Sequence, residues 1–237
     1  MAAFRLGLVN PNTTAEDTAA MADLARAALD PAAEVVELTA ADGYPAIEGE
    51  VGHVAAAAAV VAFVRRHPDL DAWLIGCFDD PGLEAARELT DAPVVGIGEA
   101  AVLSAGLVAR RFAVVTTLRR GVAAIEDGLR ASGRMDRCAG VVALERGVRE
   151  QHGADAQDAI VATAQAALDD LGADAIVLAC GAMAANAAGV SERLGVPVCD
   201  GVAFGALLAH GLWRSGLRTT THGAYGFPPE LAPERVG

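Results

Sequence analysis

The sequence predicts an α/β protein built from two similar halves, each with a parallel β-sheet. Short runs of aliphatic and β-branched residues alternate with alanine-rich stretches of helical spacing along the 237 residues, a pattern typical of parallel α/β folds. The two halves share the positions of a cysteine, a proline and a polar turn. A chain of this length forms one large domain or two small ones.

Eight strands are predicted because each is a run of four to six mostly apolar residues, too short for a helix and followed by polar or glycine-containing turns. In chain order they are Phe4–Val9, Ala33–Leu38, Ala72–Gly76, Val94–Ile97, Phe112–Thr116, Gly140–Leu144, Ala175–Ala179 and Val196–Cys199. Helices are predicted between them, most clearly at Ala15–Ala28, Ala156–Leu171 and Ala203–Trp213. Thr13 and Glu16 have the spacing of a capping box at the start of the first helix.

The second half repeats the first. When DAWLIGCFDD is placed over DAIVLACGAM, the aspartates coincide and each cysteine, Cys77 or Cys180, follows its aspartate by six residues. Pro93 lies 16 residues after the first cysteine, and Pro197 lies 17 residues after the second. Upstream, RLGLVNPNTT and RFAVVTTLRR both lead from a strand into a polar turn. The three matches in register indicate two copies of one α/β unit.

Composition excludes several classes of function. A net charge of −13 argues against nucleic acid or an anionic membrane as partner. All 18 basic residues are arginine, which excludes a pyridoxal phosphate Schiff base, a lysine nucleophile and the GK pair of a P-loop. The four cysteines form no CxxC, and the five histidines form no HxxxH or HExxH, so no zinc site is predicted.

We expect a soluble cytoplasmic protein. No apolar run approaches the length of a membrane span. The first residues lack the charged and apolar regions of a signal peptide.

Cys77 and Cys180 are the candidate catalytic residues. Ligands of parallel α/β sheets bind outside the carboxyl ends of the strands, and two pseudo-symmetric halves would bring two such ends face to face. One thiolate could then remove a proton from a carbon beside a carbonyl while the other thiol protonates the opposite face. This chemistry is cofactor-free racemisation or epimerisation; a helix N-terminus would favour the thiolate, and backbone N–H groups would hold the enolate oxygen.

The polar turns supply candidate substrate-binding residues at neighbouring strand ends. These are Asn10, Asn12, Thr13, Thr116 and Thr117. Helix capping and turn formation are the alternative roles for the same side chains.

Three further features are interpreted as structural. Cys138 and Cys199 are expected to fill the core or the surface, since free cysteine often behaves as a small hydrophobe. The segment VVGIGEAA fits the GxGxxA dinucleotide pattern, but it lies in mid-chain and no acidic residue follows about twenty positions later. We therefore predict no nicotinamide site, and we interpret Glu99 as a structural group at the crossover between the halves.

The chain resembles the hydantoin racemases of the aspartate/glutamate racemase superfamily over nearly its whole length. The resemblance is carried by VNPNTT, GCFDDPGLEAARE, PVVGIGEA, VVTTLRR, VLACGAM and AYGFPP. The CFDDPGL stretch is the most specific, because it separates the hydantoin type from the amino-acid racemases. One departure stands beside the second cysteine: the family pattern has glycine before it and alanine-glycine after it, whereas Ala179 precedes it and Gly181-Ala182 follow it here.

The resemblance implies two flavodoxin-like lobes related by a pseudo-twofold axis. Residues 1–98 with 205–237 would form the first lobe and residues 99–204 the second, with the active site in the cleft. Cys77 and Cys180 map onto the two catalytic thiols. Phe78 and Gly181, which follow them, are further candidate substrate-binding residues. Substrates would be 5-monosubstituted hydantoins, with allantoin one candidate, and neither metal nor cofactor is expected. Members of the family usually form homo-oligomers.

Rival functions stay open at this point. A related arylmalonate decarboxylase would need one thiol, with glycine at the other position. A maleate isomerase would use a thiol as nucleophile toward a cis-diacid. To bind that diacid it would need more cationic or hydroxyl donors than the segments NPNT and CFDD provide. A non-catalytic protein that binds a small ligand is the rival from a different class.

Overall fold

The computed structural model describes residues 3–151 and 154–228, and its elements alternate strand and helix. The first half contains β1 (Arg5–Asn10), α1 (Ala15–Ala28), β2 (Glu34–Thr39), α2 (Glu50–Arg66), β3 (Ala72–Ile75), α3 (Leu83–Arg87), β4 (Val94–Gly96) and α4 (Ile97–Val108). The second contains β5 (Phe112–Thr116), α5 (Val122–Ala131), β6 (Cys138–Ala143), α6 (Ala154–Leu171), β7 (Ala175–Leu178), α7 (Ala187–Leu194), β8 (Val198–Cys199) and α8 (Val202–Arg214).

Both halves have the same sheet topology. The strand orders are β2-β1-β3-β4 and β6-β5-β7-β8, and every strand pair is parallel. All eight predicted strands are present, and their boundaries differ from the predicted ones by at most two residues. The prediction of an α/β fold with two similar lobes is confirmed.

The internal repeat extends to individual hydrogen bonds. The Asp71 carboxylate accepts the backbone N–H of Arg5 at 2.9 Å, and the Asp174 carboxylate accepts that of Arg111 at 3.1 Å. Asp71 thus joins the start of β3 to the start of β1, and Asp174 joins the start of β7 to the start of β5. Because the strand starts are fixed together, their carboxyl ends emerge at equivalent points in the two lobes.

After β8 the chain returns to the first sheet. Helix α8 packs against β1 and β3 through Val202, Ala206 and Ala209, which share a buried cluster with Leu6 and Leu74. The indole N–H of Trp213 near the end of α8 also donates to Asp71 at 3.2 Å. The residue boundaries given above for the two lobes stay a prediction. Residues 229–237 of the first lobe, with the last proline of AYGFPP, lie outside the described residues.

The start of α1 is where predicted, but its cap differs. Thr14, not Thr13, occupies the N-cap position, and no side chain caps the helix there. The Asn12 side-chain oxygen instead accepts the backbone N–H of Thr14 at 2.8 Å. The predicted capping box is therefore wrong, because an Asx-type turn satisfies the backbone one residue earlier.

The first turn of α4 packs against the turn that follows β3. Asp80 in that turn has a φ of 46°, and its carboxylate accepts the backbone N–H groups of Gly98 at 2.9 Å and Glu99 at 2.7 Å. A Cβ atom on Gly98 would lie 1.9 Å from the Phe78 carbonyl oxygen. A bound pyrophosphate would need these N–H groups, but Asp80 already occupies them. The glycines of the GxGxxA pattern therefore allow close packing in this structure. The Glu99 carboxylate pairs with Arg87 at 2.6 Å.

Two helical glycines make the packing requirement testable. Gly98→Ala should lower the free energy of unfolding by about 1–3 kcal/mol, since the new methyl group meets backbone that cannot move freely. Gly128→Ala in α5 is the matched control, because nothing lies within 4 Å of its Cβ position. It should raise the free energy of unfolding by roughly 0.5–1 kcal/mol. Urea denaturation of both variants measures these changes, and equal effects of the two would contradict the packing role of Gly98.

Candidate active site

Cys77 and Cys180 line one cavity between the lobes, with a volume of about 240 Å³. Cys77 lies two residues after the end of β3, and Cys180 lies two residues after the end of β7. Both cysteine residues are partly buried. Because β3 and β7 are equivalent strands, the cavity receives one thiol from each lobe at corresponding positions.

The two cysteine-bearing turns touch each other. A Cβ atom on Gly181 would lie 3.1 Å from the Gly76 carbonyl oxygen and 2.7 Å from the Met21 sulfur. One on Gly76 would lie 2.9 Å from the Met21 methyl carbon. The glycine after the second cysteine, which departs from the family pattern, therefore lies where the two turns approach each other.

Burial shapes the ionisation of both thiols. It raises the pKa of Cys77 well above its ordinary value, the negative charge of Asp79 raises this pKa further, and the backbone N–H of Asp79 lowers it. Burial likewise raises the pKa of Cys180, to about 12, and the backbone N–H of Ala182 opposes that shift. Both residues are thiols at neutral pH in the unliganded protein.

Five of the seven predicted substrate-binding residues lie at the cavity. They are Asn12, Phe78, Thr116, Thr117 and Gly181. The two threonines end β5 and begin the turn after it, so their side chains reach the carboxyl edge of the second sheet. Phe78 also borders a wider groove of about 660 Å³ that continues from the cavity along α5.

Asn10 and Thr13 do not line the cavity. The Asn10 side chain is fully buried, and its amide donates to the Asn12 side chain at 2.8 Å and to the Thr18 hydroxyl at 3.0 Å. The Thr13 backbone N–H donates to the Tyr44 carbonyl at 3.1 Å. Both residues shape the turn that presents Asn12, which is the structural alternative considered for them above.

The loop between β2 and α2 closes the cavity, although no pattern in the sequence predicts this role. Ile47, Glu48 and Gly49 contribute to the lining. The Glu48 carboxylate accepts the backbone N–H of Val148, in the second lobe, at 3.1 Å. This contact joins residues that are 100 positions apart, which explains why no local pattern revealed it.

We also did not predict the charged side chains at the cavity from the sequence. Acidic residues outnumber basic ones in the cavity lining. The acidic residues are Asp17, Glu48, Glu50 and Asp79, and the basic ones are His53 and Arg120. Burial raises the pKa of Asp79, whereas the nearby His53 lowers it. Asp79 lies within CFDDPGL and Arg120 within VVTTLRR, so the motifs contained them, although we assigned them no role.

The other two cysteines lie away from the cavity. Cys138 is buried at the start of β6, and Cys199 is partly buried in β8. Over residues 3–151 and 154–228, no group of three or more His, Cys, Asp or Glu side chains could hold a metal ion. None of the helices in this part of the chain has the length and apolarity needed to cross a bilayer.

Comparison with known proteins places the chain in a family. Residues 6–209 match the family model described as Asp/Glu/Hydantoin racemase. A hydantoin racemase from Rhizobium meliloti is 35% identical over 229 residues, which cover 95% of each chain. The structure is similar to an allantoin racemase from Pseudomonas fluorescens, with a TM-score of 0.92, 38% identity and coverage of 98% and 99%. An unliganded arylmalonate decarboxylase, at 22% identity, a TM-score of 0.60 and coverage of 89% and 92%, shares the fold alone. The chain thus belongs to the Asp/Glu/hydantoin racemase family and is a racemase.

Proposed function

We propose that this racemase inverts C5 of 5-monosubstituted hydantoins by a two-base mechanism in which Cys77 and Cys180 are the acid and the base. The observation that carries the proposal is that one thiol from each lobe, each at an equivalent strand end, lines the same cavity. A planar carbanion held between two such groups can lose a proton to one and gain a proton from the other.

The proposed reaction balances without an added co-reactant. One cysteine thiolate takes the C5 proton and becomes a thiol, and the electron pair of the C–H bond moves into an enolate on the neighbouring ring carbonyl. The other cysteine then gives its proton to the opposite face of C5 and becomes the thiolate. Neither step needs a metal or a cofactor. The reverse direction starts from the exchanged protonation state.

Donors at the cavity would stabilise the enolate oxygen. The candidates are the hydroxyls of Thr116 and Thr117, the backbone N–H of Gly181 and the guanidinium of Arg120, all of which line the cavity. Such groups contribute most when they are fixed before charge develops and are shielded from water. The cavity volume of about 240 Å³ is below the roughly 300–1,000 Å³ typical of sites for drug-sized ligands, so it favours a small ring.

The charge of the cavity favours this substrate class over the rival ones. Four carboxylates stand against one arginine and one histidine. A dianionic maleate or arylmalonate would have to bind against that excess of negative charge, whereas a hydantoin ring is neutral. Allantoin carries the same ring with a ureido group on C5, so the relatives named for hydantoin and for allantoin point to one reacting centre.

Replacement of either cavity thiol tests the mechanism. Cys77→Ala and Cys180→Ala should each lower the racemisation rate of 5-benzylhydantoin and of allantoin by at least about 10²–10⁴-fold, because each variant lacks one proton-transfer group. Loss of optical rotation in deuterated water, corrected for the uncatalysed rate, is the measurement. The remaining thiol should still exchange the C5 proton from its own side. Each variant should therefore incorporate deuterium into one enantiomer without inversion, and the two variants should act on opposite enantiomers.

Cys138→Ala is the control, because this buried thiol lies away from the cavity. It should racemise both compounds at the unmodified rate. Wild-type rates in both cavity variants, or exchange of the same enantiomer by both, would rule out the two-thiol mechanism.

The rate should depend on pH. Since the pKa of each cavity thiol is raised above its ordinary value and a thiolate is required, kcat/KM should rise as the pH increases from 7 to 9. Asp79→Asn removes a negative charge beside Cys77 and should lower the pKa of that thiol. Iodoacetamide should then alkylate Cys77 faster at pH 8, as peptide mass spectrometry would measure. Asp127→Asn, an exposed change on α5, is the control; slower or unchanged alkylation of Cys77 in Asp79→Asn would contradict the assigned cause.

A further inference from the structure

Helix α2 has an unusual composition for a surface helix. From Val51 to Val64 it contains no Asp, Glu, Lys or Arg. Ala56, Val60 and Val64 form its buried face against the first sheet. A typical surface helix carries charged residues along the face opposite its buried stripe, whereas α2 has one there only in its last turn, at Arg65.

The face opposite the buried one is apolar and open to solvent. Val51 is 72% exposed and Val54 is 69% exposed, and Ala58 is exposed as well. Positions 51, 54, 58 and 61 are spaced by three, four and three residues, which aligns them along one stripe as in a coiled-coil seam. Val61 is half-buried, and the exposed Arg65 ends the stripe. Isolated exposed apolar residues are normal, but a stripe of them is not.

The other large exposed hydrophobic residues of the described ranges do not form such a stripe. They are Tyr44, Leu107, Val108, Leu207 and Leu217. Leu107 and Val108 are sequence neighbours at the end of α4, and adjacent residues of a helix do not share a face.

The ends of α2 carry opposite charges that the described residues leave without an ion-pair partner. Glu50 is exposed at the first position, and Arg65 and Arg66 are exposed at the last two. Among the ion pairs between described residues, none involves these three. An identical helix in antiparallel orientation would bring Glu50 of one copy close to Arg65 of the other.

We propose that α2 is the centre of an interface between two copies of this chain, packed antiparallel about a twofold axis at Ala58. In this arrangement Val54 faces Ala62 of the second copy, and Ala58 faces its own counterpart. Alanine at the axis allows the two helices to approach closely. Such a self-complementary patch is the requirement of a twofold contact, and an apolar centre with charged ends is the usual anatomy of an interface.

The interface adjoins the cavity. The first turn of α2 carries Glu50 and His53, which line the cavity, so a second copy would fix the position of that wall. A 17-residue helix is about 25 Å long and about 10 Å wide, so one face offers roughly 250 Å². A stable interface buries roughly 800 Å² per partner. Surface on both sides of the helix must therefore contribute to the contact. The proposal concerns assembly alone, and its failure would leave the two-thiol mechanism untouched.

Sedimentation velocity of the full chain tests the assembly. Wild-type protein at about 10–50 μM should sediment as a dimer or a multiple of one. Ala58→Glu places two carboxylates at the axis and should raise the dissociation constant at least about 100-fold, because like charges meet in an apolar contact. Leu217→Glu, at a residue 60% exposed outside α2, should leave the sedimentation coefficient unchanged, and circular dichroism confirms that both variants are folded. A monomeric wild type, or an Ala58→Glu variant that still assembles through the same contact, would overturn the proposal.

A second measurement tests the orientation. Ala58→Cys should give a covalent dimer with a short bismaleimide because the residue meets its own copy, whereas Leu217→Cys should not. Arg65→Glu should weaken assembly, and combining it with Glu50→Arg should restore it. Equal cross-linking at both sites, or no restoration in the double variant, would exclude the antiparallel arrangement.

Discussion

The cavity depends on a contact between two backbone turns. The turn after β3 and the turn after β7 meet where a side chain on Gly181 would strike Gly76 and Met21. Each turn is also held to its own sheet, because the Gly76 N–H donates to the Val9 carbonyl at 2.7 Å and the Ala179 N–H donates to the Val115 carbonyl at 2.9 Å. Sheet geometry and lobe packing therefore fix the backbone positions from which both thiols project.

The same enclosure opposes ionisation. Because burial raises the pKa of Cys180 to about 12, this residue is almost entirely in the thiol form at pH 7. As the pKa of a thiol rises, its thiolate becomes a stronger base. This gain in reactivity is smaller than the accompanying loss in the fraction of thiolate. Substrate binding must therefore lower the cost of the charge. Under the proposed mechanism, the neutral hydantoin ring would do this by bringing its own N–H donors and by excluding the water that competes for the backbone amides.

How far the sequence predicts this site depends on where each determinant lies. The strands and the positions of Cys77 and Cys180 follow from local composition and from the internal repeat, which constrains the two lobes to equivalent geometry. The polar turn was ambiguous because Asn10 and Asn12 have the same chemistry, and only packing decides that Asn10 is buried in hydrogen bonds while Asn12 faces the cavity. The contact between Glu48 and Val148 arises from lobe docking, which leaves no periodic signal in either segment.

The acidic lining sets a condition on the transition state. An enolate beside Asp79 would be repelled if that carboxylate were ionised, yet burial raises the pKa of Asp79 while His53 lowers it. The protonation of Asp79 thus affects both the Cys77 thiolate and the developing oxyanion, and in the same direction. A neutral Asp79 would favour both charges at once. Since His53 lies on the first turn of α2, any contact that shifts this helix would alter the balance at the thiol as well.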